Sequence, residues 1–204
     1  DRYGGGALQA GGCANLQTYT LADYEKGACR AKQTLVSHPK FTNLCFCPSL
    51  GLEDGEAAER AVDELDGLFD YILLDKAARA KSDCAIIVTE PFVSSLKCSD
   101  VCKAKLNDGG IKDVGLIVNR LNGGQVIGGE VMTAQEIATL LRLPLKAVIP
   151  EDLSIPLGKW KKQTTRAFRL AAESVAGKRE AICNVLLPYF GPAGFIKRKM
   201  RERI

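Results

Sequence analysis

Histidine is almost missing from this 204-residue chain: His38 is the only one. It stands before Pro39 in a loop-like stretch and has no partner in sequence. It reads as a surface residue, which sets aside histidine-centred acid–base catalysis. No zinc-type CxxC pair occurs among the eight cysteines at 13, 29, 45, 47, 84, 98, 102 and 183. Metal and disulfide roles are therefore not expected, and buried free thiols in a reducing compartment are. Cys45 and Cys84 fall in apolar runs, and Cys98 and Cys102 share one helical face. No apolar run approaches the roughly 20 residues of a membrane span, and no secretory signal opens the stretch at Asp1. A phosphate-binding loop is missing too. The glycines at 4–6 and 11–12 lack a following Lys-Ser/Thr, and no strand precedes them.

What is present is ordinary for a folded domain: 46% hydrophobic and 25% charged residues. One domain is the default for this length. The formal net charge of +4 is confined to one place. Lys197, Arg198, Lys199, Arg201 and Arg203 face only Glu202, so the last ten residues account for the whole excess. The body reads as neutral and the end as basic.

The stretch Leu68–Pro91 organises the chain. Leu68–Asp75 and Asp83–Pro91 each hold a short apolar run closed by polar residues. Such runs predict strands buried on both faces of a parallel sheet. Asp75 would then sit at the carboxyl edge of its strand, where open α/β sheets bind ligands. Around this pair, strands are expected at 43–47, 114–118 and 145–149. Helices are expected at 21–32, 53–66, 94–106, 133–142 and 163–177. Ala57, Ala58, Ala61, Val62 and Leu65 form one face of the second helix, which Gly67 stops. Cys98, Val101, Cys102 and Leu106 form a stripe on the third, and Ile137, Leu140 and Leu141 the inward face of the fourth. Thr133-Ala-Gln-Glu136 is a capping box. Ala167, Leu170, Ala171 and Ser174 mark the inward side of the fifth. The alternation predicts an α/β fold: a mostly parallel sheet with helices on both faces. One link resists it. Only eight positions, 76–83, separate Asp75 from the next strand, whereas a parallel crossover needs roughly 10–12 residues.

Several segments, in order, resemble the ParA/MinD group of P-loop ATPases, and within it the bacterial cell-division branch. Phe69-Asp-Tyr-Ile-Leu-Leu-Asp75 resembles that family's Walker B strand. Ala85–Asp100 resembles its next strand and helix, Leu116–Arg120 its LIVNR segment, and Val148–Asp152 its VIPED segment. Glu130–Ile137 and Gly194–Arg198 resemble the stretch before the last crossover helix and the start of the membrane-targeting tail. The resemblance runs collinearly from about Asn43 to the end. It departs from the family in lacking the two-lysine phosphate loop and in carrying Lys76-Ala-Ala-Arg-Ala80 where a DSPAG loop is usual. Cys98 replaces the usual acid and Lys97 the usual arginine, which cannot be matched for bidentate pairing.

The resemblance implies a P-loop NTPase-like, three-layer α/β/α domain over 1–190 whose first strands precede Asp1 in a longer chain, and a basic amphipathic membrane-targeting tail over 191–204. It implies ATP and Mg2+ as cofactors. Asp75 would hold the magnesium shell, and Asp1 would be the switch aspartate. Asn119, Arg120, Pro150, Glu151 and Asp152 would edge the adenine pocket. Ser94, Ser95, Lys97 and Asp100 would meet a division inhibitor resembling MinC and an activator resembling MinE, on an ATP-dependent homodimer. Phe195, Ile196, Lys197, Arg198, Lys199, Met200 and Arg201 would meet an anionic membrane surface, with Ile196, Met200 and Ile204 in one narrow helical stripe. The implied location is cytoplasmic, peripheral on the cell membrane, with no specific nucleic-acid partner. Two alternatives stay open: a ParA-type partition ATPase, and a non-hydrolysing scaffold.

Overall fold

A computed structural model describes residues 11–48, 55–75, 82–191 and 194. The chain divides into two units, residues 1–81 and 82–204. In the first, Thr20 opens helix α1, Leu21–Glu25, through a closed capping box: its N–H donates to Asp23 Oδ2 at 2.8 Å, and Asp23 N–H returns to Thr20 Oγ1 at 3.3 Å. The helix expected to reach residue 32 stops at Glu25, because Gly27 takes a positive φ of 73°. Ala31–Thr34 then make a 3-10 turn. Strands β1, Val36–Ser37, and β2, Cys45–Phe46, pair antiparallel. The strand expected at 43–47 is thus half of a short hairpin rather than a member of the parallel sheet. His38 organises its turn: Nδ1 accepts the N–H groups of Lys40 and Phe41, each at 3.0 Å. Helix α2, Gly55–Leu65, buries Ala57, Ala61 and Leu65, the face its pattern predicts.

Leu68–Asp75 is not a strand. Leu68, Tyr71, Ile72 and Leu73 are exposed and the segment has no regular secondary structure. A strand needs a ladder partner, and the nine positions 76–84 before the next strand are too few for a parallel crossover, which needs roughly 10–12 residues.

The second unit holds β3, Ala85–Thr89; α3, Val93–Asp108; β4, Val114–Leu121; α4, Gly123–Ile127; α5, Ala134–Leu141; β5, Leu145–Pro150; and α6, Lys162–Val175. The three strands are parallel in the order β3-β4-β5. Alternate side chains point to opposite faces of a strand, and the core divides accordingly. Ile87, Leu116, Val118 and Val148 pack with Leu96 of α3 and Ile137, Ala138 and Leu141 of α5. Ala147, Ile149 and Ile117 pack with Ala167, Leu170 and Ala171 of α6. Helices thus cover both faces, and the expected α/β architecture is present. Each fully buried Leu, Ile or Val stabilises the unit by ~1.5–3 kcal/mol.

Two helical faces differ from their patterns. α3 buries Leu96 and Ser99, while Cys98, Val101 and Cys102 are exposed. α5 buries Ile137, Ala138 and Leu141, but Leu140 is 59% exposed. α5 ends at Arg142, with φ at 51°, and Lys103 Nζ donates to the terminal Leu141 carbonyl at 2.8 Å. Helix α4 falls in a stretch that reads as a glycine loop. Asn122 caps it, accepting from Gly124 and Gln125 N–H. Gly123 is required there, because a Cβ would lie 2.4 Å from the Val185 carbonyl oxygen.

Candidate functional site

Parallel strands deliver their carboxyl ends to one edge, and that edge is where polar residues of this sheet collect. Glu90 follows β3, Arg120 lies near the end of β4, and Glu151 follows β5. The pairing of β4 with β5 shifts register between Val118 and Leu121, so Asn119 and Arg120 sit in a bulge rather than after the strand. Arg120 takes φ 55° there, a left-handed conformation that costs a non-glycine residue ~1–2 kcal/mol. The bulge re-aims the side chain. Arg120 Nη1 donates to Glu90 Oε1 at 3.2 Å, and Nη2 lies 3.8 Å from Glu151 Oε1. Glu151 Oε2 accepts from Asn122 Nδ2 at 2.9 Å. A chain of polar contacts therefore runs from Glu90 through Arg120 and Glu151 to the start of α4. Arg120 is 52% exposed, so its pairs contribute ~0–1 kcal/mol each, too little to explain a strained arginine by stability alone. Asn119 is half-buried beside it.

Asp152 turns the other way. Its carboxylate is buried and fully engaged by its own loop. Oδ1 accepts from Ser154 N–H at 3.0 Å and Ser154 Oγ at 2.5 Å; Oδ2 accepts from Thr164 Oγ1 at 2.7 Å and Lys161 N–H at 3.1 Å. The Ser154 and Thr164 hydroxyls, and then those backbone groups, hold the carboxyl well below the usual range despite burial. Asp152 thus ties the β5–α6 loop to the first turn of α6, and its side chain has no capacity left for a ligand. Pro150 is buried at the strand end, and Glu151 is half-buried.

The other expected residues are placed as follows. Asp75 is exposed in a bend of the first unit and belongs to no strand. This corrects the expectation that a buried strand presents it. Ser94, Lys97 and Asp100 are exposed on α3, and Ser95 is half-buried with its carbonyl accepting from Ser99 Oγ at 2.8 Å. Asp1 and the tail residues Phe195–Arg201 lie outside the described residues. Glu90, Asn122 and Thr164 belong to these networks and went unmarked in sequence. Asn122 had a signal, an Asn before a glycine pair, which is an N-cap pattern.

An amide, a guanidinium and a proline at a parallel sheet's carboxyl edge can read and pack a base. Among the described residues no three His, Cys, Asp or Glu side chains gather as a metal site.

No protein-family model matches the chain. Individual proteins do. A MinD of Oltmannsiellopsis viridis is 30% identical across 87% of this chain and 64% of its own length. The septum site-determining protein MinD of Helicobacter pylori is 32% identical across 69% of this chain and 60% of its own. The chain resembles MinD. The likeness is not confined to bacteria, since a chloroplastic MinD homologue of Arabidopsis thaliana is 30% identical across 78% of this chain and 53% of its own. Solved structures agree on the fold. MinD of Aquifex aeolicus superposes with a TM-score of 0.77 at 23% identity, covering 87% of this chain and 82% of that one. The MinC:MinD complex of the same organism gives 0.75 at 24%, covering 84% and 78%. MinD from Pyrococcus horikoshii, complexed with Mg-ADP, gives 0.63 at 24%, covering 78% and 73%. The chain spans about three fifths of the length of the first curated MinD relatives it matches.

Proposed function

We propose that this polypeptide works as a MinD-like ATPase of division-site placement, and that the carboxyl edge of β4 and β5 is the base end of its nucleotide site. The observation that carries the reading is the strained Arg120, held between Glu90 and Glu151 at that edge, in a chain collinear with MinD proteins. The Asn119 amide both donates and accepts and suits a base edge. Glu90 and Glu151 hold the guanidinium in place, and Pro150 closes the floor. Asp152 keeps the loop beneath that floor in shape through Ser154 and Thr164. Bound ATP with Mg2+ supplies the phosphoanhydride whose hydrolysis resets such an enzyme. Asp75 as a magnesium-shell residue and Asp1 as the switch aspartate remain part of the proposal for the intact protein.

The same reading assigns Ser94, Ser95, Lys97 and Asp100 to an inhibitor resembling MinC and an activator resembling MinE, on an ATP-dependent homodimer. The exposed outer side of α3 supports it, as does the MinC partner of the Aquifex aeolicus MinD. It assigns Phe195–Arg201 to the anionic membrane, which places the protein peripherally on the cytoplasmic face. Titrating the intact protein with a fluorescent ATP analogue in Mg2+ tests the core of the proposal. Saturable binding is expected, weakened roughly tenfold by Arg120→Ala, in line with losing a charged hydrogen-bond group. No binding, or binding untouched by Arg120→Ala, refutes the site; absence of binding returns the scaffold alternative.

A further inference from the structure

The neutral net charge of the body hides a basic stretch. Between Asp152 and Glu173 the chain has no acid, and it carries Lys159, Lys161, Lys162, Arg166 and Arg169. Lys162, Arg166 and Arg169 share one side of α6 and, with Trp160 and Thr165, line a shallow open hollow. The opposite side, Thr164, Ala167, Leu170, Ala171 and Ser174, is the buried one. Large apolar groups stand in water on the segment that leads into this helix. Leu153 and Leu157, on the loop entering α6, are 74% and 73% exposed. Trp160 is half exposed and rests its ring 5.1 Å from that of Phe168.

Two features of this surface run against local stability. A helix N-terminus favours acids, yet Lys161 and Lys162 occupy it, with Lys161 Nζ 3.6 Å from buried Asp152. Arg169 meets Glu173 only at 3.9 Å, so the patch is barely neutralised. Exposed leucines on the entering loop, and an amphipathic tryptophan lining a hollow with three cations, match the layered chemistry of an anionic membrane interface, where Trp sits at headgroup depth and Lys and Arg meet phosphates. We propose that the β5–α6 loop and the outer side of α6 form a docking surface for an anionic phospholipid bilayer. The leucines decide for lipid over nucleic acid, since they have no base to stack on and gain most in an acyl boundary. The role of this surface does not depend on that of the C-terminal tail.

Trp160 is the chain's only tryptophan, so its emission reports on this surface alone. The full chain is mixed with phosphatidylglycerol–phosphatidylcholine vesicles, with pure phosphatidylcholine vesicles, and with duplex DNA. The expected result is a blue shift and quenching by brominated lipid with the anionic vesicles only. The combined Lys162→Glu, Arg166→Glu and Arg169→Glu variant, checked for native circular dichroism, is expected to need roughly tenfold more lipid or higher for the same quenching. Leu157→Ser, at a residue 73% exposed, is expected to reduce the blue shift. Sedimentation with vesicles while Trp160 stays unquenched overturns the proposal and leaves the tail reading intact. Equal quenching by neutral vesicles overturns it. So does salt-sensitive binding to DNA without vesicle quenching, which assigns the surface to nucleic acid.

Discussion

Replacing Ile137 and Leu140, one at a time, by alanine separates what the pattern of α5 implies from what its packing implies. By spacing, both belong to the inward face. In the structure Ile137 is fully buried in the core that also contains Leu116, Val118, Leu121 and Leu141, whereas Leu140 is 59% exposed. Ile137→Ala removes buried methyl and methylene groups and leaves a cavity that the surrounding β4 and β5 side chains cannot readily fill. Such truncations cost ~2–5 kcal/mol, and about 3 kcal/mol is expected here. With an m-value of ~1–3 kcal/mol per molar urea, that lowers the unfolding midpoint by roughly 1–3 M. Leu140→Ala falls among exposed substitutions and is expected to cost within about 0.5 kcal/mol. Equilibrium urea unfolding followed by Trp160 emission and by far-ultraviolet circular dichroism measures both. Equal midpoint shifts for the two variants would refute the placement of α5.

Acid is expected to destabilise the chain through particular carboxylates. Asp23 and Glu136 are held below their ordinary values chiefly by the backbone N–H groups of Thr20 and Thr133, and Asp152 by the hydroxyls of Ser154 and Thr164. A depressed folded pKa contributes stability that is complete above the unfolded value and is lost as pH falls through the folded one. The urea midpoint should thus stay level near neutrality and fall below about pH 4. Asp152→Asn should lower the neutral midpoint and flatten the acid limb; an unchanged acid limb would contradict the clamp. The thiols offer a further check. Cys84, Cys98 and Cys102 are exposed, while Cys13 and Cys183 are buried. Brief alkylation of the native chain, mapped by mass spectrometry, should modify the first three and spare the last two. Rapid labelling of Cys183 would show that the loop packed under α6 is open.

Much of the second unit is legible from the chain alone because its signals are local. Runs of branched residues mark β3, β4 and β5, and Thr133 with Glu136 mark the start of α5. The Ala167–Leu170–Ala171–Ser174 stripe marks the buried side of α6. Local pattern fails where the outcome depends on a neighbour. Leu68–Asp75 has the composition of a strand but no ladder partner, and composition cannot supply one. The α3 stripe through Cys98 and Val101 is as plausible a face as the one through Leu96 and Ser99, until the sheet selects which is covered. Spacing placed Asn119 and Arg120 after a strand. Only the register shift in the pairing of β4 with β5 shows them in a bulge, with Arg120 at positive φ and Glu90 and Glu151 against it. Asp152 shows the same limit: its position at the strand end suggests a ligand contact, and the return of the chain at Thr164 commits it to the loop instead. The sequence by itself therefore determined which segments are strands or helices wherever backbone propensity and apolar period agree. Which faces are buried, and which polar groups meet, was decided by pairing across distant segments, because those contacts depend on the register and direction of the partner.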